Sequence, residues 1–298
     1  MRYEHVLQHV RETPWAILPD KMAIILDLLT FRAQGGELSA EEIREITGAA
    51  PRSQGRVTGS IAVLPLHGVI VQRAGFLSDL FGDSSTERFG ALLRQTLADP
   101  SIGAVVIDVD SPGGSVYGVQ ELADEIFAAR GPKPIVAVAN SMAASAAYWL
   151  ATQADDLVVT PSGEVGSIGI IAAHQDVSVA LEQAGVKMTL VSAGKYKAES
   201  NPFVPLGEDA RAAIQSRVDD HYAVFVNAVA RGRGVRPSAV RGGFGEGRVV
   251  GARQAVDLGM ADRVATLEQT IAKLGGSRAR RSGGRAEDDR RRLLTMRP

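Results

Sequence analysis

The stretch Ala104-Val-Val-Ile-Asp-Val-Asp-Ser-Pro-Gly-Gly-Ser115 indicates the fold class of this chain of 298 residues. Its first half is a nearly continuous apolar, β-branched run, which is typical of a strand buried on both faces of a sheet. Its second half is a glycine-containing turn, and a helical pattern follows, with one apolar face formed by Val119, Leu122, Ala123, Ile126 and Phe127. A strand, a turn and a helix in this order predict one unit of a parallel α/β sheet.

Three further apolar runs of the same kind lie at residues 61–66, 134–139 and 157–160. Because helical patterns lie between such runs, the alternation predicts βαβ units with right-handed crossovers over residues 60–192. A long amphipathic helix is predicted over residues 207–231 and a short one over residues 252–258. The predicted fold class is therefore α/β with parallel βαβ units.

The chain divides into four predicted parts. Residues 1–50 form a helical N-terminal segment, in which Ser39 and Glu42 have the spacing of a capping box. Residues 51–59 are a linker rich in small and polar residues, and residues 60–274 form the α/β domain. Residues 275–298 carry eight arginines against three acidic residues and few apolar ones, so we expect a basic, disordered tail.

The composition excludes several classes of chemistry. The chain has no cysteine, which excludes disulfides, thiolate metal sites and a cysteine nucleophile. Its 33 basic and 34 acidic residues nearly cancel, so that only the basic tail is a candidate contact for nucleic acid. No apolar run approaches the roughly 18–20 residues of a membrane span. No secretory cleavage pattern follows the apolar residues near the N-terminus, and we expect a soluble, intracellular protein.

A candidate nucleophile follows the next buried strand, in Asn140-Ser-Met-Ala-Ala-Ser-Ala-Ala-Tyr-Trp149. Ser145 lies among alanines at the start of a predicted helix, whose N-terminus favours developing negative charge. A buried small residue in a close helix–sheet contact explains the same pattern, and Ser141 is a competing hydroxyl. The Gly113-Gly114 turn becomes an oxyanion cradle only if a nucleophile lies opposite it.

The sequence leaves the general base of such a serine open. His174 is the one serious imidazole candidate, 29 residues after Ser145. Lys195 and Lys197 follow a predicted strand at residues 188–191, and a lysine can act as a base when burial lowers its pKa to about 7–8. Most lysines are solvated instead.

Five motifs in a fixed order carry a family resemblance. They are Ser111-Pro-Gly-Gly114, Ala143-Ala-Ser-Ala-Ala-Tyr148, Gly166-Ser-Ile-Gly169, Lys195-Tyr-Lys-Ala-Glu-Ser-Asn-Pro-Phe203, and Gly247-Arg-Val-Val-Gly251 with the segment 254–262. This set, over about residues 60–265, resembles the signal peptide peptidase A family of Ser–Lys proteases with the ClpP/crotonase fold. Pro14-Trp-Ala-Ile-Leu-Pro19 and the N-terminal helices resemble the phage head-maturation branch of that family.

The resemblance implies roles for five residues: Ser145 as nucleophile, Lys197 as general base, the amides of Gly114 and Ala146 as oxyanion-hole donors, and Ser167 as a hydroxyl that orients the lysine. It implies no metal and no cofactor. His174 and Lys195 match no catalytic position. Alanines stand at 146 and 147 where common family members have glycines, which narrows the groove but removes no backbone donor.

The implied function is that of a serine endopeptidase of phage or prophage head maturation. We expect protein substrates among scaffold, portal and capsid proteins, assembly of the chain into a homo-oligomeric ring, and a location in the bacterial cytoplasm or the procapsid. The alternatives are a cellular signal-peptide or membrane-protein peptidase and a non-catalytic capsid component. A crotonase-type acyl-CoA enzyme is a third alternative, although no convincing carboxylate pair accompanies the glycine turn.

Overall fold

A computed structural model describes residues 2–47, 55–73 and 84–276. The N-terminal segment contains helix α1 (Arg2–Glu12), strand β1 (Trp15–Ile17), helix α2 (Pro19–Ala33) and helix α3 (Ala40–Thr47). The elements up to the nucleophile region are β2 (Arg56–Thr58), β3 (Ile61–His67), β4 (Ile70–Val71), β5 (Ser84–Ser85), α4 (Thr86–Ala98), β6 (Ala104–Ser111), β7 (Gly113–Ser115), α5 (Val119–Ala128), β8 (Ile135–Ala144) and α6 (Ala146–Ala151).

The remaining elements are β9 (Asp156–Val159), β10 (Glu164–Gly166), α7 (Ser178–Gln183), α8 (Glu208–Arg233), α9 (Pro237–Gly243), a short 3₁₀ turn (Gly245–Gly247), β11 (Val249–Gly251), α10 (Ala252–Asp257) and β12 (Arg263–Val264). Residues 267–276 are helical and end the described part of the chain.

The larger sheet has the strand order β11-β10-β8-β6-β3-β2. The contacts of β3 with β6, β6 with β8, and β8 with both β9 and β10 are parallel, whereas β2 and β11 add antiparallel edges. Parallel neighbours require crossover connections, and helices α4, α5 and α6 lie in those connections. The structure confirms a mixed α/β fold with parallel strands.

A smaller sheet, of order β1-β7-β4-β5, forms beside the ends of β6 and β8. It contains β7, the glycine turn of the opening motif, which pairs in parallel with β4 and antiparallel with β1. The register between β6 and β8 shifts between Val109 and Ser111. The chain therefore leaves the large sheet at this bulge and presents the glycine turn to the end of β8.

Most predicted elements form close to their predicted bounds. The four apolar runs are β3, β6, β8 and β9, and the predicted capping box opens α3, with reciprocal bonds of 2.7 and 3.2 Å between Ser39 and Glu42. Two departures concern the N-terminal part. A strand, β1, interrupts the predicted helical segment, and part of the predicted linker is strand β2.

The prediction of a strand at residues 188–191 is wrong. These residues have no regular secondary structure and are exposed, because no neighbouring strand among the described residues offers them hydrogen bonds. The predictions for residues 51–54 and for the basic tail from residue 277 onward lie outside the described residues. In the ranges that are described, no helix is long and apolar enough to cross a membrane.

A continuous apolar core fixes the junction between β8 and α6. All six residues of α6 are buried. Trp149 of this helix stacks on Phe225 of α8, with ring centroids 4.7 Å apart and an interplanar angle of 10°. The long helix α8 thus holds α6 against the sheet, and the residue before α6 is held with it.

Candidate active site

Ser145 occupies a strained turn between β8 and α6. Its backbone angles are φ 54° and ψ −117°, and the residue is 1% exposed. A positive φ is costly for a non-glycine residue and persists where the surrounding structure enforces it, which is common at functional sites. Here the enforcing contacts are a 2.7 Å bond from the Ser145 N–H to the Gly166 carbonyl and a 2.9 Å bond from the Trp149 N–H to the Ser145 carbonyl.

The predicted glycine turn lies directly against this serine. A methyl group on Gly113 would lie 3.0 Å from the Cβ of Ser145, and one on Gly114 would lie 1.9 Å from the carbonyl oxygen of Ile70. Only glycine allows the backbone to come this close. Ala146 is the first residue of α6, where the N–H groups have no intrahelical acceptor. The structure therefore brings together Ser145 and the two backbone segments predicted to bind an oxyanion.

The segment that follows β10 also borders the site, beside Ser145 and the glycine turn. The hydroxyl of Ser145 lies 3.5 Å from the Gly169 carbonyl oxygen, at the limit of a hydrogen bond. Ser167 also has a positive φ, 54°, and donates its N–H to the Arg248 carbonyl at 2.8 Å. Sequence reasoning singled out Ser167 but missed Gly169, because a carbonyl contact depends on the path of the backbone and leaves no side-chain signal.

The two predicted members of the dyad are not joined in this structure. Lys197 is exposed and lies in a series of turns at residues 193–200, where its N–H donates to the Gly194 carbonyl at 3.1 Å. Among the described residues no hydrogen bond connects Lys197 with Ser145. Lys195 lies over the ring of Tyr196, 4.6 Å from its centroid. An exposed ammonium lacks the desolvation that a lysine base requires.

His174 is not a partner of the serine either. Its Nε2 lies 3.3 Å from the Asn201 carbonyl oxygen. The ring lines a cavity of about 700 Å³, bounded by α1, α2, α8 and the segments 172–177 and 199–203. In the part of the chain that the structure describes, no three His, Asp or Glu side chains come together as metal ligands.

A buried hydrogen bond anchors α6 to a later segment of the chain. The Tyr148 hydroxyl donates to the Met260 carbonyl at 2.9 Å, and burial raises the pKa of this phenol far above its usual value. The hydroxyl therefore remains a hydrogen-bond donor at any physiological pH. It ties the helix that follows Ser145 to the segment between α10 and β12.

Taken together, a strained serine, a glycine turn opposite it and a helix N-terminus form a site where a hydroxyl and backbone donors can act on a carbonyl group. Residues 128–279 match the model of peptidase family S49. The chain belongs to this family.

The chain is similar to two phage proteins. It is 33% identical over 268 residues to the capsid assembly protease C of Escherichia phage lambda, a match that covers 86% of this chain and 61% of that protein. It is 34% identical over 225 residues to the head-tail preconnector protein GP5 of Enterobacteria phage P21, covering 76% of this chain and 44% of that protein.

A cellular protein is also similar. The chain is 30% identical over 224 residues to a putative signal peptide peptidase SppA of Enterococcus faecium, with 74% of this chain and 64% of that protein covered. The chain thus spans roughly half to two thirds of the length of these relatives. The family resemblance predicted from the five motifs is confirmed.

Proposed function

We propose that this chain is a serine endopeptidase with the ClpP/crotonase-like fold, in which Ser145 is the nucleophile and Lys197 the general base. The observation that carries the proposal is the strained, buried backbone of Ser145 directly against the Gly113-Gly114 turn. Ser141 and Ser167 also have positive φ, but of the three only Ser145 adopts this left-handed conformation at a strand–helix junction. A nucleophile gains from it, because the turn aims the hydroxyl away from the sheet and helix that hold it.

The proposed reaction needs only Ser145, Lys197 and one water molecule besides the peptide substrate. Neutral Lys197 accepts the hydroxyl proton as the Oγ of Ser145 forms a bond to the peptide carbonyl carbon. The Gly114 and Ala146 amides bind the oxyanion, and removal of one such donor typically costs about 2.7–4 kcal/mol of transition-state stabilisation. The lysinium then protonates the leaving amine as the C–N bond breaks, and water hydrolyses the acyl-enzyme with Lys197 again as base.

The proposed approach of Lys197 to Ser145 occurs when copies of the chain assemble into a ring. The segment before the lysine supports this step, because it exposes an unusual number of large apolar side chains: Val186 (45%), Met188 (46%), Leu190 (47%) and Val191 (97%). The first three alternate as in a strand, yet they have no strand partner among the described residues. A second copy that covers this segment would bury the apolar side chains and remove Lys197 from solvent.

A charge placed on this segment tests the assembly step. We expect Val191→Glu to reduce both ring formation, measured by analytical ultracentrifugation, and peptide hydrolysis. Val57→Glu is the matched control, since Val57 is 62% exposed on β2, outside the segment. Full hydrolytic activity in a strictly monomeric protein would contradict the assembly step without touching the assignment of Ser145.

The proposed biological role is head maturation of a phage or prophage, with scaffold, portal and capsid proteins as substrates in the bacterial cytoplasm or procapsid. The similarity to a capsid assembly protease and a head-tail preconnector protein supports this role. The similarity to a putative signal peptide peptidase supports a cellular peptidase as the second candidate.

Digestion of a defined peptide library separates the candidate functions. We expect products with the wild-type chain and none with Ser145→Ala, as measured by mass spectrometry. Cleavage of co-expressed scaffold and capsid proteins in preference to signal peptides supports the head-maturation role, and the reverse preference supports the cellular one. Absence of hydrolysis together with absence of Ser145 labelling by a fluorophosphonate would indicate a structural capsid component instead.

A further inference from the structure

Strand β1 of the N-terminal segment lies in the cleft beside Ser145 and is paired on both of its edges. On one edge it runs antiparallel to β7, with Ala16 opposite Gly114. On the other edge Trp15 and Ile171 exchange two backbone hydrogen bonds of 2.8 Å. A substrate strand that extends along β7 needs the same row of backbone groups, because one edge of a strand accommodates only one partner.

The hydrogen-bond pattern of this ladder fixes the direction of the Ala16 carbonyl. Two pairs that flank Ala16 and Gly114 are bonded, with the Leu18 N–H donating to Pro112 at 3.0 Å and the Val116 N–H donating to Pro14 at 3.3 Å. Bonded and non-bonded pairs alternate along an antiparallel ladder, so the intermediate pair Ala16–Gly114 is a bonded one. The Gly114 amide, the proposed oxyanion donor, therefore faces the carbonyl of Ala16.

The contacts around Gly113 and the packing of the β1 side chains agree with this placement of the Ala16 carbonyl. A methyl group on Gly113 would lie 2.1 Å from the Ala16 carbonyl oxygen and 3.0 Å from the Cβ of Ser145, which places that carbonyl beside the nucleophile. Ala16 belongs to the core cluster of the large sheet, whereas Trp15 and Ile17 belong to the cluster of the N-terminal helices. Successive residues of a strand point to opposite faces, so the side chain of Ala16 packs against the large sheet while those of Trp15 and Ile17 pack among the N-terminal helices. The peptide bond after Ala16 is presented to the serine because it contains the carbonyl that lies beside the nucleophile.

Both flanks of β1 are anchored. The indole N–H of Trp15 donates to the Val10 carbonyl of α1 at 2.7 Å, and Trp15 and Ile17 are each 2% exposed. On the other side α2 begins at Pro19 and packs against α1 in the same cluster. An amine that is held next to the carbonyl it has left can reseal the bond, because its effective concentration remains high. The two chain ends produced by a cut after Ala16 would therefore be held in place on either side of that cut.

We propose that β1 is an intramolecular substrate mimic that occupies the peptidase cleft, with the Ala16 carbonyl in the oxyanion hole, until the N-terminal segment is displaced. This inference rests on the proposed peptidase function. A tethered occupant lowers the apparent activity by the fraction of molecules in which the cleft is open. Because Ala16 occupies the position before the proposed scissile bond, the inference also predicts that substrates carry a small side chain there.

A reversible disulfide tests whether β1 must leave. Trp15 and Ser115 face each other as a non-bonded antiparallel pair, where Cα atoms lie about 4.5 Å apart, within the range of a disulfide. The double variant Trp15→Cys with Ser115→Cys adds the only two thiols, since the natural chain has none. We expect the oxidised form to react with a fluorophosphonate at Ser145, and to hydrolyse peptides, at least about tenfold more slowly than the reduced form.

The two single variants, Trp15→Cys and Ser115→Cys, are the matched controls, and neither should respond to oxidant or reductant. Equal rates in the oxidised and reduced double variant, with Ser145 labelled in both, would overturn the inference alone. No labelling of Ser145 and no hydrolysis by the assembled protein in any form, wild type included, would instead reject the proposed function.

A measurement on the unaltered chain covers the case in which loss of the Trp15 side chain prevents folding. A tripeptide aldehyde that ends in alanine is added, and hydrogen exchange of the backbone amides is followed by mass spectrometry. We expect exchange in residues 14–18 to become at least about tenfold faster once the aldehyde occupies the cleft. Unchanged exchange there, with Ser145 modified by the aldehyde, would contradict the inference.

Discussion

The region around Ser145 and the region around Lys197 differ in how deeply they are buried and in how many contacts fix their backbone. Ser145 is 1% exposed and is fixed by two backbone hydrogen bonds and by a helix buried along its whole length. The region of Lys197 consists of turns and irregular backbone, and residues 182–197 are exposed throughout. One side is completed within a single chain, and the other lacks the contacts that would desolvate a lysine.

This difference suggests how such an enzyme controls its activity. If Ser145 is the nucleophile and the Gly114 and Ala146 amides form the oxyanion hole, as we propose, these groups need no reorganisation at the moment of reaction. The proposed arrival of Lys197 on assembly would keep isolated chains inactive, and the proposed occupation of the cleft by β1 would add a second restraint. The two restraints act on different groups, so they can be separated by experiment.

The largest expected effect belongs to the preformed side. We expect Ser145→Ala to lower the rate of peptide hydrolysis by at least about 10⁴-fold, because removal of a nucleophile leaves only the other binding groups. Ser141→Ala is the matched control. Ser141 also has a positive φ, 97°, but its hydroxyl donates to Asp110 at 2.7 Å, and we expect its loss to leave most of the activity. Retained hydrolysis in Ser145→Ala would reject the nucleophile.

The next effect belongs to the lysine side. We expect Lys197→Met to lower the rate about 10²–10⁴-fold, the usual contribution of a general base, while Lys195→Met leaves the rate nearly unchanged. Both side chains are exposed, so neither change should unfold the chain. Loss of activity in His174→Ala, with Lys197→Met active, would indicate a Ser–His mechanism.

A stability measurement sharpens the comparison between the two regions. We expect Phe225→Ala, which removes the stack on Trp149, to lower the free energy of unfolding by about 3–5 kcal/mol. Val191→Ala should change it by less than about 0.5 kcal/mol, because Val191 is 97% exposed in the isolated chain. Urea unfolding at low protein concentration, which favours the isolated chain, checks both values. Equal costs would mean that the lysine side is already packed.

The smallest expected effect concerns Ser167, the proposed positioning residue. We expect Ser167→Ala to lower kcat about tenfold, as is usual when a catalytic group is slightly misplaced, with KM nearly unchanged. A loss of stability with an unchanged kcat would show that Ser167 has only a structural role.

The sequence predicted the parts of the fold that depend on local pattern. The runs that became β3, β6, β8 and β9 are apolar enough to be strands in any buried sheet, and Ser39 and Glu42 specify a helix start with their own side chains. The segment 188–191 has the same strand-like composition, but a strand also needs a partner. The pattern could not show that this partner is missing from the described residues.

The site was predictable to the extent that its residues lie in motifs. The serine, the glycine turn and Ser167 are close together in the structure because each motif ends a strand at the same edge of the sheet. The pairing of β1 with β7 and the contact of Gly169 with Ser145 were not predicted, since both involve backbone groups. Only the pairing with β7 shows that the segment between Pro14 and Pro19 is extended.

The central claim is that one serine hydroxyl and one lysine amine meet in the assembled protein. The most direct test is a structure of the purified ring, determined with the peptide aldehyde bound. We predict the Nζ of a Lys197 within about 3.2 Å of the Oγ of Ser145, out of contact with solvent, and β1 displaced from β7. A ring in which every Lys197 remains solvent-exposed while Ser145 carries the aldehyde would contradict the account.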